Sequence, residues 1–274
     1  MKEKSYGLSE QHHVDDAASG HAEEVAIKGY SVIPDVLSVP ALARLRDKID
    51  AVYRLQERDF GRQALAEIQE VDACRAPLLY DLDFVAYARD PAVLAVVQKF
   101  LGEWFILNLQ NAVINRPVES HHQSSWHRDL PYQNFVISRP LAINALWAVD
   151  DFSAETGGTH VLPFTHKQET VPSDTYIGNN SVVVTAPAGS VVVFDSMLIH
   201  RAGVNRSTRT RRALNHLYTT PIIKQQYDFP RALAEHQRGM DPALLRLLGF
   251  TAQVPRDDKQ WRHVRAARLG GAAG

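Results

Sequence analysis

The sequence predicts a mainly β fold, a sheet sandwich or barrel with helices laid against its outside. One contrast and one absence point there. Before residue 103 apolar residues recur at helical spacing, whereas from Trp104 onward they fall into short runs separated by turn residues. No internal repeat and no strong linker divides the 274 residues.

The elements follow in order. Residues 1–22 are polar, rich in His, Asp, Glu, Ser and Gly, and are expected to form a mobile segment, leaving 23–274 as a single domain. Tyr30-Ser31-Val32-Ile33 reads as a first strand. Ser38-Val39-Pro40 opens a helix in which Leu42, Leu45, Ile49 and Val52 share one face, with Arg44, Asp47, Lys48 and Arg54 on the other. A second helix is punctuated by Asp90 as N-cap, Pro91 as first helical residue and Gly102 as its stop. Strands are expected over 104–115, 141–149, 158–162, 181–186, 190–195 and 211–219, with turns at Gly157-Gly158 and Ala188-Gly189. The β core therefore covers about 104–220, and a polar helical tail follows over 224–270 through Leu233, Leu244, Leu245 and Leu248.

Composition removes several function classes. A formal charge of −1 gives no bulk attraction to nucleic acid or to an anionic membrane, and no run of eighteen apolar residues exists. The amino terminus lacks the apolar stretch of a signal peptide, and the single cysteine, Cys74, cannot form an internal disulfide, so a cytoplasmic setting is expected. There is no phosphate-binding Gly loop and no Cys cluster for zinc, and Ser196 and Ser207 lack a nucleophile elbow. A small-molecule substrate is the expected partner; the pattern specifies no oligomeric state.

What the chain does carry is a metal-ligand pattern. In Trp126-His127-Arg128-Asp129 the imidazole and the carboxylate are two apart, so on extended backbone both point to one face. His200 closes the apolar run Phe194–Ile199 and completes two imidazoles and one carboxylate. Such a facial set suits non-haem Fe(II), leaving the opposite positions open for a cosubstrate and O2. Eleven residues past His200 stands Arg211, a residue type shaped to grip a carboxylate through two parallel hydrogen bonds. Asp129 could instead be a turn residue before Leu130-Pro131.

Order and spacing resemble the phytanoyl-CoA dioxygenase family, across roughly residues 25 to 225. The likeness is densest in Ser125–Asp129, in WAVDDFSAETGGTHVLPFTHK from Trp147 to Lys167, and in AGSVVVFDSMLIHRAGVNRSTRTRRALNHLY from Ala188 to Tyr218. The resemblance implies a double-stranded β-helix, a cupin-like jelly roll, and an Fe(II)- and 2-oxoglutarate-dependent dioxygenase. It also implies His127, Asp129 and His200 as iron ligands and Arg211 as the partner of the distal 2-oxoglutarate carboxylate. Trp147 and Thr159 match cosubstrate-lining positions, although Trp147 equally suits plain core. Gln110 and Ser125 are further candidates for cosubstrate contact. An Asp at 129, where halogenating relatives need a small residue, favours hydroxylation over chlorination.

Alternation puts Arg211 and Arg212 on opposite faces of their strand, with Arg212 the competing candidate, and a basic loop shared with Arg206 and Arg209 would leave both on the surface. The family spacing implies that Arg211 faces inward; Ala213, Asn215, Leu217 and Thr219 then do too, and Arg212, Leu214, His216 and Tyr218 face outward. Tyr132, Gln133 and Asn134, just after the iron motif, together with Asn215, are the candidate substrate contacts. Their mixed character suggests a small or medium polar metabolite, oxidised at an unactivated C–H bond with succinate and CO2 as coproducts. His166 reads as structural. Two rivals stay open: a non-catalytic cupin-like binding protein, and a metal-dependent isomerase or hydrolase on a related barrel.

Overall fold

In the computed structural model, which describes residues 13–117, 122–130 and 137–270, nine strands form two antiparallel sheets. They are β1 (Tyr30–Ile33), β2 (Ala73–Arg75), β3 (Ile106–Asn115), β4 (Ala142–Ala148), β5 (His160–Val161), β6 (Val182–Val183), β7 (Val191–Asp195), β8 (His200–Arg201) and β9 (Arg211–Thr219). The larger sheet runs β1-β7-β4-β9-β3-β2 and the smaller β6-β5-β8. This is the jelly roll of a double-stranded β-helix with helices on its outer side. All six expected strand segments are present, the short ones trimmed to two residues. β2 and β8 are too brief for a period-2 signal, and sequence reading did not find them.

One face of the large sheet packs on helices and the other lines a cavity. In the Val39–Phe60 helix, Leu42, Leu45, Ile49, Val52 and Tyr53 are buried. The Pro91–Leu101 helix is capped as its sequence predicts. Asp90 accepts from the Ala92 and Val93 amides, and Gly102, at φ 73°, ends it. With the outer face of the sheet these helices enclose one apolar cluster that includes Trp147, Leu214, Tyr218 and the tail residues Leu233, Leu244 and Leu248. Each such side chain contributes about 1.5–3 kcal/mol through burial. No helix among the described residues is long and apolar enough to cross a membrane.

The amino terminus departs from expectation. Residues 17–22, assigned to the mobile segment, belong to a helix, Ala17–Lys28, capped by the Asp16 carboxylate on the Ser19 amide and ended by Gly29 at φ 95°. Its only buried residues are Ser19 and Val25, so no apolar stripe announces it; it is held by packing on β1 and the Pro91–Leu101 helix. Residues 1–12 lie outside the described residues.

Candidate active site

The two halves of the metal motif meet because of backbone pairing. His127 and His200 form an antiparallel bridge in which each amide donates to the other's carbonyl, at 2.9 and 3.0 Å, and the Asp129 amide donates to the Ser196 carbonyl. The smaller sheet thus gains one more rung at β8, and that rung carries both imidazoles. His127 Nε2 and His200 Nε2 each lie 3.6 Å from Asp129 Oδ1, and one ligand atom from each of the three residues falls within 4.8 Å of the others.

Both rings are fixed from behind. His127 Nδ1 donates to the Ser125 carbonyl at 2.7 Å and His200 Nδ1 to the Leu198 carbonyl at 2.9 Å, so the Nε2 lone pairs face the centre. Asp129 is fixed too. Its Oδ2 accepts from Asn144 Nδ2 at 2.6 Å, which leaves Oδ1 for the centre, and the Asn144 carbonyl oxygen accepts in turn from the Ser196 hydroxyl. Burial works against ionising Asp129, but the neighbouring imidazoles and the Asn144 amide outweigh it and hold the carboxyl below its usual range. At His127 burial disfavours the charged ring, yet the approach of Asp129 dominates and raises its pKa; at His200 burial dominates and lowers it.

The three side chains sit on the wall of a cavity of about 720 Å³ between the two sheets. Arg211 lines the same cavity and is 3% exposed. Its Nη2 donates to the Gly157 carbonyl, its guanidinium lies 4.8 Å from the centre of the Phe152 ring, and its Nε has no partner. Burial pulls this guanidinium down to about 10, so it remains charged at neutral pH. A buried cation with an unused donor is costly unless a ligand supplies the missing acceptor, as a carboxylate would. The donor set and this unpaired guanidinium fit Fe(II) and 2-oxoglutarate respectively.

Other sequence candidates divide. Thr159, Ser125 and Asn215 line the cavity. Gln110 and Trp147 do not, and their assignment to the cosubstrate is corrected. Gln110 is the register partner of His216 on the outer face, where its amide accepts from the Leu78 N–H, donates to the Phe84 carbonyl and meets His216 Nε2. Trp147 pairs in register with Leu214, and its indole N–H donates to His216 Nδ1 within the helix-covered core. Tyr132, Gln133 and Asn134 lie outside the described residues. His166 is buried beneath the first helix, its Nε2 at 3.1 Å from the Ala26 carbonyl, a structural position. Sequence reading missed Asn144, whose signal was a lone amide in the apolar run Ala142–Ala148.

Comparison with known proteins agrees with the geometry. A family model described as phytanoyl-CoA dioxygenase matches residues 27–213. An uncharacterized protein of Mycobacterium tuberculosis is 39% identical over 236 residues, covering 82% of this chain and 84% of its own. Among solved structures, EctD from S. alaskensis, with 2-oxoglutarate and 5-hydroxyectoine, superposes with TM-score 0.64 at 18% identity, covering 77% of this chain and 79% of its own. The epimerase SnoN in complex with Fe3+, alpha ketoglutarate and nogalamycin RO superposes at 0.56 with 18% identity, covering 75% and 84%. At these identities the solved structures bear on the fold alone.

Proposed function

The chain belongs to the phytanoyl-CoA dioxygenase family of Fe(II)- and 2-oxoglutarate-dependent oxygenases, and from that premise we propose that it hydroxylates an unactivated C–H bond of a small or medium polar metabolite. In this reading His127, Asp129 and His200 hold the iron, and Arg211 takes the distal carboxylate of 2-oxoglutarate. Succinate and CO2 are the coproducts. The observation that carries it is the placing of the converging triad and an unpaired buried arginine on the walls of one cavity.

When bound, iron and 2-oxoglutarate supply the oxidising chemistry. The protein's share is placement. The Ser125 and Leu198 carbonyls hold the Nδ1 protons so that each ring offers Nε2, Asn144 turns Asp129, and the Phe152 ring and Gly157 carbonyl aim Arg211 into the cavity. Apolar walls from Leu109, Val113, Leu146, Phe194, Ala213 and Leu217 limit water near the reacting centre.

The test is oxygen-dependent conversion of 2-oxoglutarate to succinate by metal-free protein reconstituted with Fe(II) or with Zn(II). Turnover with Fe(II) alone, abolished by Asp129→Ala, supports the reading. Absence of succinate with Fe(II), together with conversion of a substrate by the Zn(II) protein without 2-oxoglutarate or O2, would move the protein to the isomerase or hydrolase class.

A further inference from the structure

A polar rung crosses the cavity face of the large sheet beside the triad. Arg75, Asn111 and Asn215 are successive register partners on β2, β3 and β9, and all three line the cavity. Arg75 spends its Nε and Nη2 on Glu70. The two amides are committed differently, and their orientations are forced.

A carboxylate only accepts, so the atom Asn144 offers to Asp129 is its Nδ2. That same Nδ2 donates to Asn215 Oδ1 at 3.1 Å, so Asn215 keeps its NH2 for the cavity. Asn111 Oδ1 accepts from the Ala76 N–H at 3.2 Å and from the Tyr227 hydroxyl at 2.8 Å, which fixes that amide as well. The Asn111 NH2 has no protein partner among the described residues, although the residue is only 7% exposed. Two unspent amide donors therefore stand side by side on neighbouring strands, their Cβ atoms about 5 Å apart.

Charge completes the pattern. Lys224 lines the same cavity, on the segment that follows β9, with no carboxylate partner among the described residues. Asp129 is the only carboxylate on the described lining, and the iron claims it. Asn111 and Asn215 thus offer unspent donors and Lys224 a cation, and the exposed Gln226 side chain beside Lys224 adds an amide that can turn its NH2 to a ligand, a surface matched to an oxyanion.

We propose that Asn111, Asn215 and Lys224 form the anchoring subsite for the substrate and that the substrate bears a carboxylate, its oxygens on the two amides and its charge offset by Lys224. This rests on the Fe(II)- and 2-oxoglutarate-dependent reading, since it places the anchored molecule next to Asn144 and Asp129.

The test uses the full chain loaded with Zn(II) and 2-oxoglutarate. Binding of benzoate, cyclohexanecarboxylate and 3-hydroxybutyrate is measured by ligand-observed NMR, each beside its methyl ester and primary amide. The acids are expected to bind about tenfold or more tightly than their esters and amides. Lys224→Glu, at an exposed position, and Asn111→Asp, which keeps the acceptor for Ala76, should each remove that preference. No binding of any acid, equal binding of acids and esters, or a preference that survives both substitutions would overturn the proposal. A parallel anaerobic absorbance titration with Fe(II) and 2-oxoglutarate separates the two failures: loss of that signal counts against the oxygenase reading, and its presence without acid preference counts against this subsite alone.

Discussion

Arg211 and Arg212 are adjacent in sequence and opposite in fate. On the outer face Arg212 makes a bidentate pair with Asp50, at 2.8 Å on each bond, and a further bond to Asp150 at 3.0 Å; these partners raise its pKa. On the inner face Arg211 is more deeply buried, meets a carbonyl and an aromatic ring, and keeps one donor idle. The same division runs through the amides. Gln110, outside, has its oxygen and nitrogen engaged by Leu78, Phe84 and His216, while Asn111 and Asn215, inside, each present an unspent NH2. At these paired positions the protein satisfies the outward polar groups, while the inward Arg211, Asn111 and Asn215 each keep a donor free for a ligand.

Substitutions at the paired positions break this comparison if it is wrong. Arg211→Leu should raise the KM for 2-oxoglutarate by about 10- to 100-fold, the worth of charge-assisted hydrogen bonds. Arg212→Leu should leave that KM unchanged and instead lower unfolding stability by about 1.5–3 kcal/mol, measured by urea denaturation. A KM effect at 212 equal to that at 211 would erase the distinction between the faces. Asn144→Leu, which frees Asp129 from its orienting amide, should weaken iron binding about 10- to 100-fold in a chelator competition, with the fold intact by circular dichroism. Trp147→Phe, on the closed face, removes one indole N–H from His216 and should cost about 1 kcal/mol of stability without altering cosubstrate affinity.

The pH response sharpens the picture further. A proton on an imidazole competes with metal, and His127 has its pKa raised above the ordinary 6.5 by Asp129. Iron affinity should therefore fall as pH drops, beginning above pH 6.5. Affinity measured by competition at constant ionic strength checks the sign, and an affinity that rises on acidification would contradict it.

Much of this was legible from residue order. Period-2 alternation on β9 sets Arg211 and Arg212 on opposite faces and the family spacing singles out Arg211 as the inward one, while the Asp90–Pro91 start and Gly102 stop state their helix directly. The triad was legible because His127 and Asp129 sit close in sequence on extended backbone. Trp147 took the plain-core place that its sequence also suited, and Gln110 was misplaced because which face a strand residue takes depends on register. β3 slips register at Leu107/Leu109, just before Gln110, a shift that no local pattern announces. Asn144 was missed because its partners, Asp129, Ser196 and Asn215, are 15, 52 and 71 residues away. The Ala17–Lys28 helix lacks an apolar stripe, and its stability comes from the surfaces it meets.

The central claim is that the inner face assembles one site for iron and 2-oxoglutarate, and an anaerobic visible-absorbance titration of the metal-free protein tests it most directly. The expected result is a weak metal-to-ligand charge-transfer band that needs both Fe(II) and 2-oxoglutarate, is lost in Asp129→Ala and is unchanged in Arg212→Leu. With iron binding confirmed independently, absence of the band at saturating 2-oxoglutarate would contradict the account.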